Sequence, residues 1–467
     1  MTRAKAALLV LLIAFAGLCL GADTTPQQIH IALAGNDGKG NSNQVAISWQ
    51  TVDSTSKSFV KYGATSKLYT NIVEGRSSSY FATFDHHVIT DVLNPNTRYY
   101  YIVGSDESGW SAEKSFTSAP LSSDLRKDFS FMFYADLGVV NGDYSINYLA
   151  KEADNYVLAW HAGDISYADD SFTHVGCFTE FCYEDVFNQY MNMIEPFASS
   201  KYYMTAPGNH EADCHDANCM LSKEKREKLS NFTAYNSRFL MPSTQSNAHN
   251  MHYSFNYGNI HFISIDTETG YPGAPLETRY ILPCGGFAEQ MDWLEQDLIE
   301  ANKNRAEFPW IFVAGHRPIY FGDAVNLEVQ TAFEDLFYKY NVDMYFAGHV
   351  HHYERDYPTY RNVSEMSYNN PRATTFVQVG GPGNDEMQNV SSTIKVDKTL
   401  DTISPKDKYK ANSMSGTWTA MYDDENRVGV SKVTIIDDNN LKFEYIRTST
   451  GEVYDTINLY RDHSSMH

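Results

Sequence analysis

Residues 342–355 read VDMYFAGHVHHYER. The apolar run before Gly348 has the length and content of a buried strand, ending at that glycine. Three histidines then occupy four positions: His349, His351 and His352. In an extended chain alternate side chains share a face, so His349 and His351 would project together and His352 away from them. Two imidazoles converging on one point is what a metal asks for. Solvated histidines at a polar strand end are the plain alternative, and this stretch alone does not decide between them.

The same pattern recurs along the chain. FSFMFYAD (129–136), YVLAWHAGD (156–164), KYYMTAPGNH (201–210), IHFISID (260–266) and WIFVAGH (310–316) are apolar runs ending in polar, metal-competent residues. Residues 287–304 and 326–340 have helical character between them. This predicts an α/β domain with active residues at the carboxyl ends of buried strands. Within residues 432–461 the pattern returns to β-hairpins, and the polar tail after Arg461 is expected to fray.

Residues 27–118 read as all-β. QIHIALAG, QVAISWQT, SFVKYG, FDHHVITDV and RYYYIVGS are short strand-like runs split by turn residues, with Trp49, Tyr62 and Tyr99 to Tyr101 supplying large core side chains. Asn94-Pro95-Asn96-Thr97 marks a turn. The segment resembles a fibronectin type III-like sandwich of about 100 residues. FTSAPLSSD (116–124) reads as the linker, giving domains at 22–119 and 125–461.

At 467 residues the chain can bury a large core. Arg3 and Lys5 precede an apolar run closed by Gly21 and Ala22, the pattern of a signal peptide over residues 1–21. No other run approaches a membrane span, so no stable anchor is expected after cleavage. Sequons at Asn231, Asn362 and Asn389 fit a secretory, lysosomal or vacuolar route. Beyond Cys19, Cys177 and Cys182 form one C-x4-C pair and Cys214 and Cys219 another, which reads as disulfides in an oxidising compartment. Cys284 is left free, intermolecular or part of another pairing, and a zinc site from Cys214, Cys219 and His215 is the weaker alternative. A net charge of -22 argues against nucleic acid or an anionic membrane as partner.

Five motifs follow in order, each after an apolar run: Asp136-Leu137-Gly138, Gly163-Asp164-Ile165-Ser166-Tyr167, Gly208-Asn209-His210-Glu211, Val313-Ala314-Gly315-His316 and Gly348-His349-Val350-His351. Together they resemble the two-domain purple acid phosphatases, members of the calcineurin-like metallophosphoesterases. GHVHHYER is close to that family's GHVHxYER, and HAGDISYAD to its HxGDISYA. The resemblance runs from about residue 27 to 461. It implies a fibronectin type III-like domain followed by a layered αββα domain with two mixed sheets.

The donor set suits one hard and one borderline metal. The resemblance implies Fe(III) held by Asp136, Asp164, Tyr167 and His351, and Zn(II), Mn(II) or Fe(II) held by Asp164, Asn209, His316 and His349. A phenolate from Tyr167 would give the family's purple colour. The implied reaction is hydrolysis of phosphomonoesters by a metal-activated water, with His210 contacting phosphate or protonating the leaving group. Plant members carry paired histidines where this chain has Val325 and Asn326, which leaves Glu211, Arg317 or water as the next candidates for the acid. His352 falls on the family's variable position and is expected to pack or to support. His161, at an odd offset from Asp164, is expected to face away and support. Glu354 and Arg355 orient neighbours or form a salt bridge, and His215 and His252 are ordinary histidines.

Two other readings stand beside this one. A related metallophosphodiesterase would share the ligands, whereas the GDxHG and GDxVDRG motifs of protein phosphatases are absent. A secreted binding protein would use the N-terminal sandwich and carry a decayed site. A homodimer, with or without a disulfide, stays open.

Overall fold

A computed structural model describes residues 22–35, 43–171, 177, 180–214, 217–275, 284–387, 418–423 and 427–465. The signal-peptide reading, His215 and the sequon at Asn389 lie outside these residues.

Two sheets carry the C-terminal half. In the first, Phe129–Tyr134, Leu158–Ala162 and Tyr202–Ala206 run parallel, with Trp160 level with Phe133 on one side and Met204 on the other. The C-terminal strands Gly429–Ile435, Asn440–Arg447 and Glu452–Tyr460 extend it antiparallel. In the second, Ile260–Ser264, Trp310–Ala314, Met344–Ala347 and Thr375–Val379 run parallel. The sheets face each other through aromatic rings. Phe131 meets Phe262 at 5.1 Å, Trp160 meets Phe262 at 5.3 Å and Phe133 meets Phe346 at 4.9 Å between centroids. Burying each such side chain contributes about 1.5–3 kcal/mol.

Strand alternation sends the intervening residues outward. Ile311 and Val313 pack with Leu294 and Leu298 of helix Met291–Lys303 and with Phe333 and Phe337. On the other side His161, packed against Tyr134, meets helix Tyr183–Ala198 through Tyr190. The result is the layered αββα arrangement with mixed sheets.

The N-terminal strands form two facing sheets, as expected. Tyr99 and Tyr101 are core residues, but Tyr100 is only half-buried because successive strand residues face opposite sides. The sandwich is not a separate body on a linker. Gln27–Gly35 pairs in parallel with Tyr202–Ala206 at Ile31 and Tyr202, so one ten-stranded sheet crosses both halves. Side chains pin the same seam: the Tyr101 hydroxyl donates to the Ser199 carbonyl at 2.7 Å and that of Tyr202 to the Thr117 carbonyl at 2.8 Å.

The polar tail is docked rather than frayed at His463. Its Nδ1 meets the Asp438 carbonyl at 2.7 Å, its Nε2 meets Asp343 at 3.1 Å, and its ring lies edge-on to Trp310 at 4.6 Å. The reason is Asp343, a fully buried carboxylate also paired with Arg305 and Arg461. Such a charge needs every partner within reach.

Cys177 is bonded to Cys182 and Cys214 to Cys219, which rules out zinc on the second pair. Cys284 is free and buried. Burial, reinforced by Asp213, pushes its thiol up to about 11, so the described residues offer no exposed thiol for a link between chains. No helix among the described residues is long and apolar enough to cross a membrane.

Candidate metal centre

The five motifs fall just past the carboxyl ends of five parallel strands. Asp136, Asp164, His316 and His349 each stand two residues beyond a strand end, and Asn209 three. Parallel registry brings these ends level, and the facing of the sheets brings them together. The chain turns sharply there: Asp136 (φ 60), Asp164 (φ 54), Tyr167 (φ 57) and His349 (φ 71) all adopt the left-handed conformation. Each such residue costs about 1–2 kcal/mol, which the surrounding packing must offset. The glycines before the polar residues allow close approach. A Cβ on Gly348 would stand 2.2 Å from Oδ2 of Asp136, and one on Gly208 2.3 Å from Oδ1 of Asp164.

The strand of the opening stretch ends at Ala347, not Gly348. Residues 349–352 are bends, with the Val350 amide donating to the Gly348 carbonyl and the His352 amide to the Val350 carbonyl. His349 and His351 therefore meet because the chain curls, not because an extended strand alternates.

Two groups of side chains share Asp164. Asp164, His316 and His349 form one; Asp136, Asp164 and His351 form the other; within each, the donor atoms lie within 4.8 Å of one another. In the first, His316 Nε2 is 3.1 Å from Asp164 and 3.2 Å from Oδ1 of Asn209. The Ala162 carbonyl accepts from Nδ1 of His316 at 3.0 Å, so Nε2 is the nitrogen turned into the group. In the second, His351 Nε2 lies 3.3 Å from Asp136 and 2.9 Å from the Tyr167 hydroxyl. All seven predicted ligand residues are thus brought into one cluster, and its donor set fits two cations. Its field does too. Burial disfavours charge on His316, yet Asp164 and Asp136 push it up to about 9. Burial and the same carboxylates hold the Tyr167 phenol well above its ordinary range, so only a strong Lewis acid would draw off its proton.

His210 lies at the edge of this cluster in a third group with Asp169 and Asp170. Its Nδ1 is 2.8 Å from Asp169, and its Nε2 is 3.8 Å from Asp164 and from Glu386. Glu211 takes a structural part. Its oxygens accept N–H bonds from Gly208, Asp164 and Ile165 at 2.7–2.9 Å, tying two ligand loops together. Val325 and Asn326 lie in a small hairpin strand and at a helix start, where Asn326 accepts from the Val329 amide. His352 bonds Glu354 and Gln378. His161 bonds Tyr203 and Tyr190 on the outer face. Arg355 pairs with Asp455 at 2.7 Å, and His252 packs on Trp293.

Three contributors escaped the sequence reading. Asp169 holds His210. Asn384 donates to the Tyr167 hydroxyl at 3.2 Å and to the Asp136 carbonyl at 2.9 Å. Glu268 pairs with Arg317. Asn384 had a signal: TTFVQVGGPGN (374–384) is one more apolar run ending in glycines and a polar residue. Asp266, by contrast, ends its strand as a turn former, accepting the amides of Glu268 and Thr269.

Comparison with known proteins agrees in each part of residues 26–456 that a family model covers. Residues 26–118 match the purple acid phosphatase N-terminal domain, 129–353 the calcineurin-like phosphoesterases and 373–456 the iron/zinc purple acid phosphatase-like C-terminal domain. Acid phosphatase A of Cryphonectria parasitica is 31% identical over 94% of this chain and 93% of its own. The chain belongs to the purple acid phosphatase family. Purple acid phosphatase 21 of Arabidopsis thaliana is 30% identical over 77% of this chain and 72% of its own. The structure of a purple acid phosphatase from yellow lupin seeds shares the fold, with a TM-score of 0.70 at 22% identity, over 95% of this chain and 75% of that one. As a purple acid phosphatase the chain hydrolyses phosphoesters, and the family implies a binuclear metal centre, for which the two donor groups around Asp164 are the candidates.

Proposed function

We propose that this is a secretory-route acid phosphatase acting on phosphomonoesters. Fe(III) would be held by Asp136, Asp164, Tyr167 and His351, and Zn(II), Mn(II) or Fe(II) by Asp164, Asn209, His316 and His349. The observation that carries this reading is the pair of donor groups sharing Asp164, with the Tyr167 hydroxyl set against only one of them. When bound, two such ions supply Lewis acidity, charge neutralisation and an acidified water for in-line attack on phosphorus.

The chain's own groups do the rest. Glu211 and Asn384 hold the ligand loops in place. His210 carries the proton that the leaving alkoxide needs, and Asp169 keeps Nδ1 occupied so that Nε2 faces the centre. Glu211 is a poor alternative acid, since its oxygens already accept three backbone amides. The two disulfides fit the oxidising route that the N-terminal signal implies.

Metal analysis of purified protein, with its visible spectrum and turnover of an aryl monoester against a diester, tests the reading. Two ions per chain, a visible band and preference for the monoester are expected. Preference for the diester would move the chain to the phosphodiesterases, and absence of both activities would leave the sandwich as the functional part.

A further inference from the structure

Arg317 directly follows His316, and its guanidinium turns back into the centre. Nη1 donates to Nε2 of His349 at 2.8 Å, and Nη2 reaches Oδ1 of Asn209 at 3.4 Å. The opposite edge is clamped, with Nε and Nη2 donating to the two oxygens of Glu268 at 2.8–3.0 Å. Glu268 is fully buried. An ionised carboxylate in such a place costs several kcal/mol unless it is paired, and Arg317 is its cation. The backbone is fixed as well: the Arg317 amide donates to Thr267 Oγ1 at 2.9 Å, and its carbonyl accepts from the Tyr345 hydroxyl at 2.7 Å. Gly315 makes this closeness possible, since a Cβ there would stand 2.6 Å from Thr267 and 2.8 Å from Tyr345.

A buried pair that served packing alone would have no reason to aim its free edge at two of the candidate ligand residues of the centre. We propose that Arg317, oriented by Glu268, is the phosphate-binding cation of the reaction, donating N–H bonds to a non-bridging phosphoryl oxygen beside the second-metal ligands. This rests on the function proposed above. In hydrolysis the bond from phosphorus to the leaving oxygen breaks, one to the water oxygen forms, His210 gives a proton to the departing oxygen, and the proton shed by the attacking water goes to solvent, from which His210 is protonated again. Arg317 keeps all its protons throughout. Charge on the phosphoryl group is spread over the non-bridging oxygens, and a planar fork of N–H donors that stays ionised at every working pH matches it. Asn326 caps a helix and Val325 has no donor, so the cation comes from the residue after His316 instead.

The test uses the metal-loaded full chain and inorganic phosphate as probe. Arg317→Met should keep both metals, weaken phosphate binding by calorimetry about 10–100-fold and lower kcat/KM about 10²–10³-fold. Arg317→Lys should recover part of each, because charge returns without the fork. Glu268→Gln should weaken phosphate binding less, and add little in the Arg317→Met background. That double variant also removes the buried unpaired carboxylate, so it tests the assignment should the single change fail to fold. Wild-type phosphate affinity in either variant lacking Arg317, or loss of a metal on removing it, would overturn the proposal. The second result would make Arg317 a support for His349. A wild-type protein that binds phosphate through Arg317 but hydrolyses no monoester would instead overturn the function proposed above.

Discussion

Nδ1 of His210 lies 2.8 Å from a carboxylate oxygen of the buried Asp169, while Nε2 of the same ring lies 3.8 Å from the shared ligand candidate Asp164. Burial alone would strip the ring of its charge, but Asp169, Asp164 and Asp170 together hold its pKa well above the usual imidazole range. The function proposed above makes this ring the proton donor at the rim of the centre.

An alkoxide leaving group needs that proton and an activated aryl oxide hardly does. His210→Ala should therefore keep both metals and slow alkyl phosphates about 10²–10⁴-fold, with much smaller loss on aryl phosphates. Asp169→Asn should show the same pattern more weakly, because the ring loses its orientation but not its nitrogen. A leaving-group series measured on both variants decides; equal slowing across the series would mean that His210 only binds phosphate.

Tyr167 sits against Asp136 and His351 and accepts from Asn384. If the centre is as proposed, Tyr167→Phe abolishes the visible band, since the phenolate would be its source, while iron stays on the remaining three ligands. Absorption at matched iron content is the measurement. A band of wild-type intensity would remove Tyr167 from the centre.

The neighbouring histidines should behave unequally. His349→Ala and His351→Ala should each lose metal and activity, and Asp164→Ala should lose both ions because both groups share it. His352→Ala should keep both, since His352 bonds Glu354 and Gln378 instead. Metal content per chain separates these outcomes, and two ions retained in Asp164→Ala would place the bridge elsewhere.

Much of this centre was legible in the sequence because each ligand candidate follows a short apolar run, and parallel strands carry their ends to one edge. What was not legible is what depends on contact across the fold. The face-sharing of His349 and His351 was inferred from an extended chain, whereas a left-handed bend at His349 does the work. His161 does face away, but Asp164 lies beyond the strand, so its offset was not the reason. Glu268 and Asn384 matter through partners 49 and 217 residues away in sequence. The continuous sheet rests on Ile31 meeting Tyr202, a pairing with no local mark. The docking of His463 depends on Asp343, which periodicity reads only as a polar residue before a strand.

The seam between the two halves should make stability depend on pH. His87 is buried there, and its strand neighbour His86 is buried on the sandwich side, both with neutral-form hydrogen bonds: His87 Nε2 to the Ser237 carbonyl at 2.8 Å and Nδ1 to the Ser48 hydroxyl at 2.8 Å, and His86 between Ser58 and Thr51. Burial lowers His87 to about 3, helped by His30, Arg76 and His86, and burial lowers His86 to about 4. The unfolded chain protonates both near pH 6.5 and the folded chain does not, so each stabilises the fold above that pH and its contribution is lost as pH falls toward the folded value. His30 has the same sign, lowered by burial to about 4, although the Gln28 and Arg238 carbonyls at its nitrogens favour its proton. Asp85 on the same strand opposes them. Burial raises it to about 7, with Glu184 adding to and Arg238 subtracting from the shift, so the folded chain holds a proton that the unfolded one releases above about pH 3.9. Between pH 6.5 and 4.5 the three histidines outweigh Asp85, so these four groups together lose stability as pH falls. Each site changes the slope by about 1.4 kcal/mol per pH unit at most. His87→Asn, which bonds but does not titrate, should flatten the dependence by up to that amount, and Asp85→Asn should steepen it. Denaturant melts at pH 6.5, 5.5 and 4.5 on the three proteins give the slopes. Three equal slopes would put the acid sensitivity outside this seam.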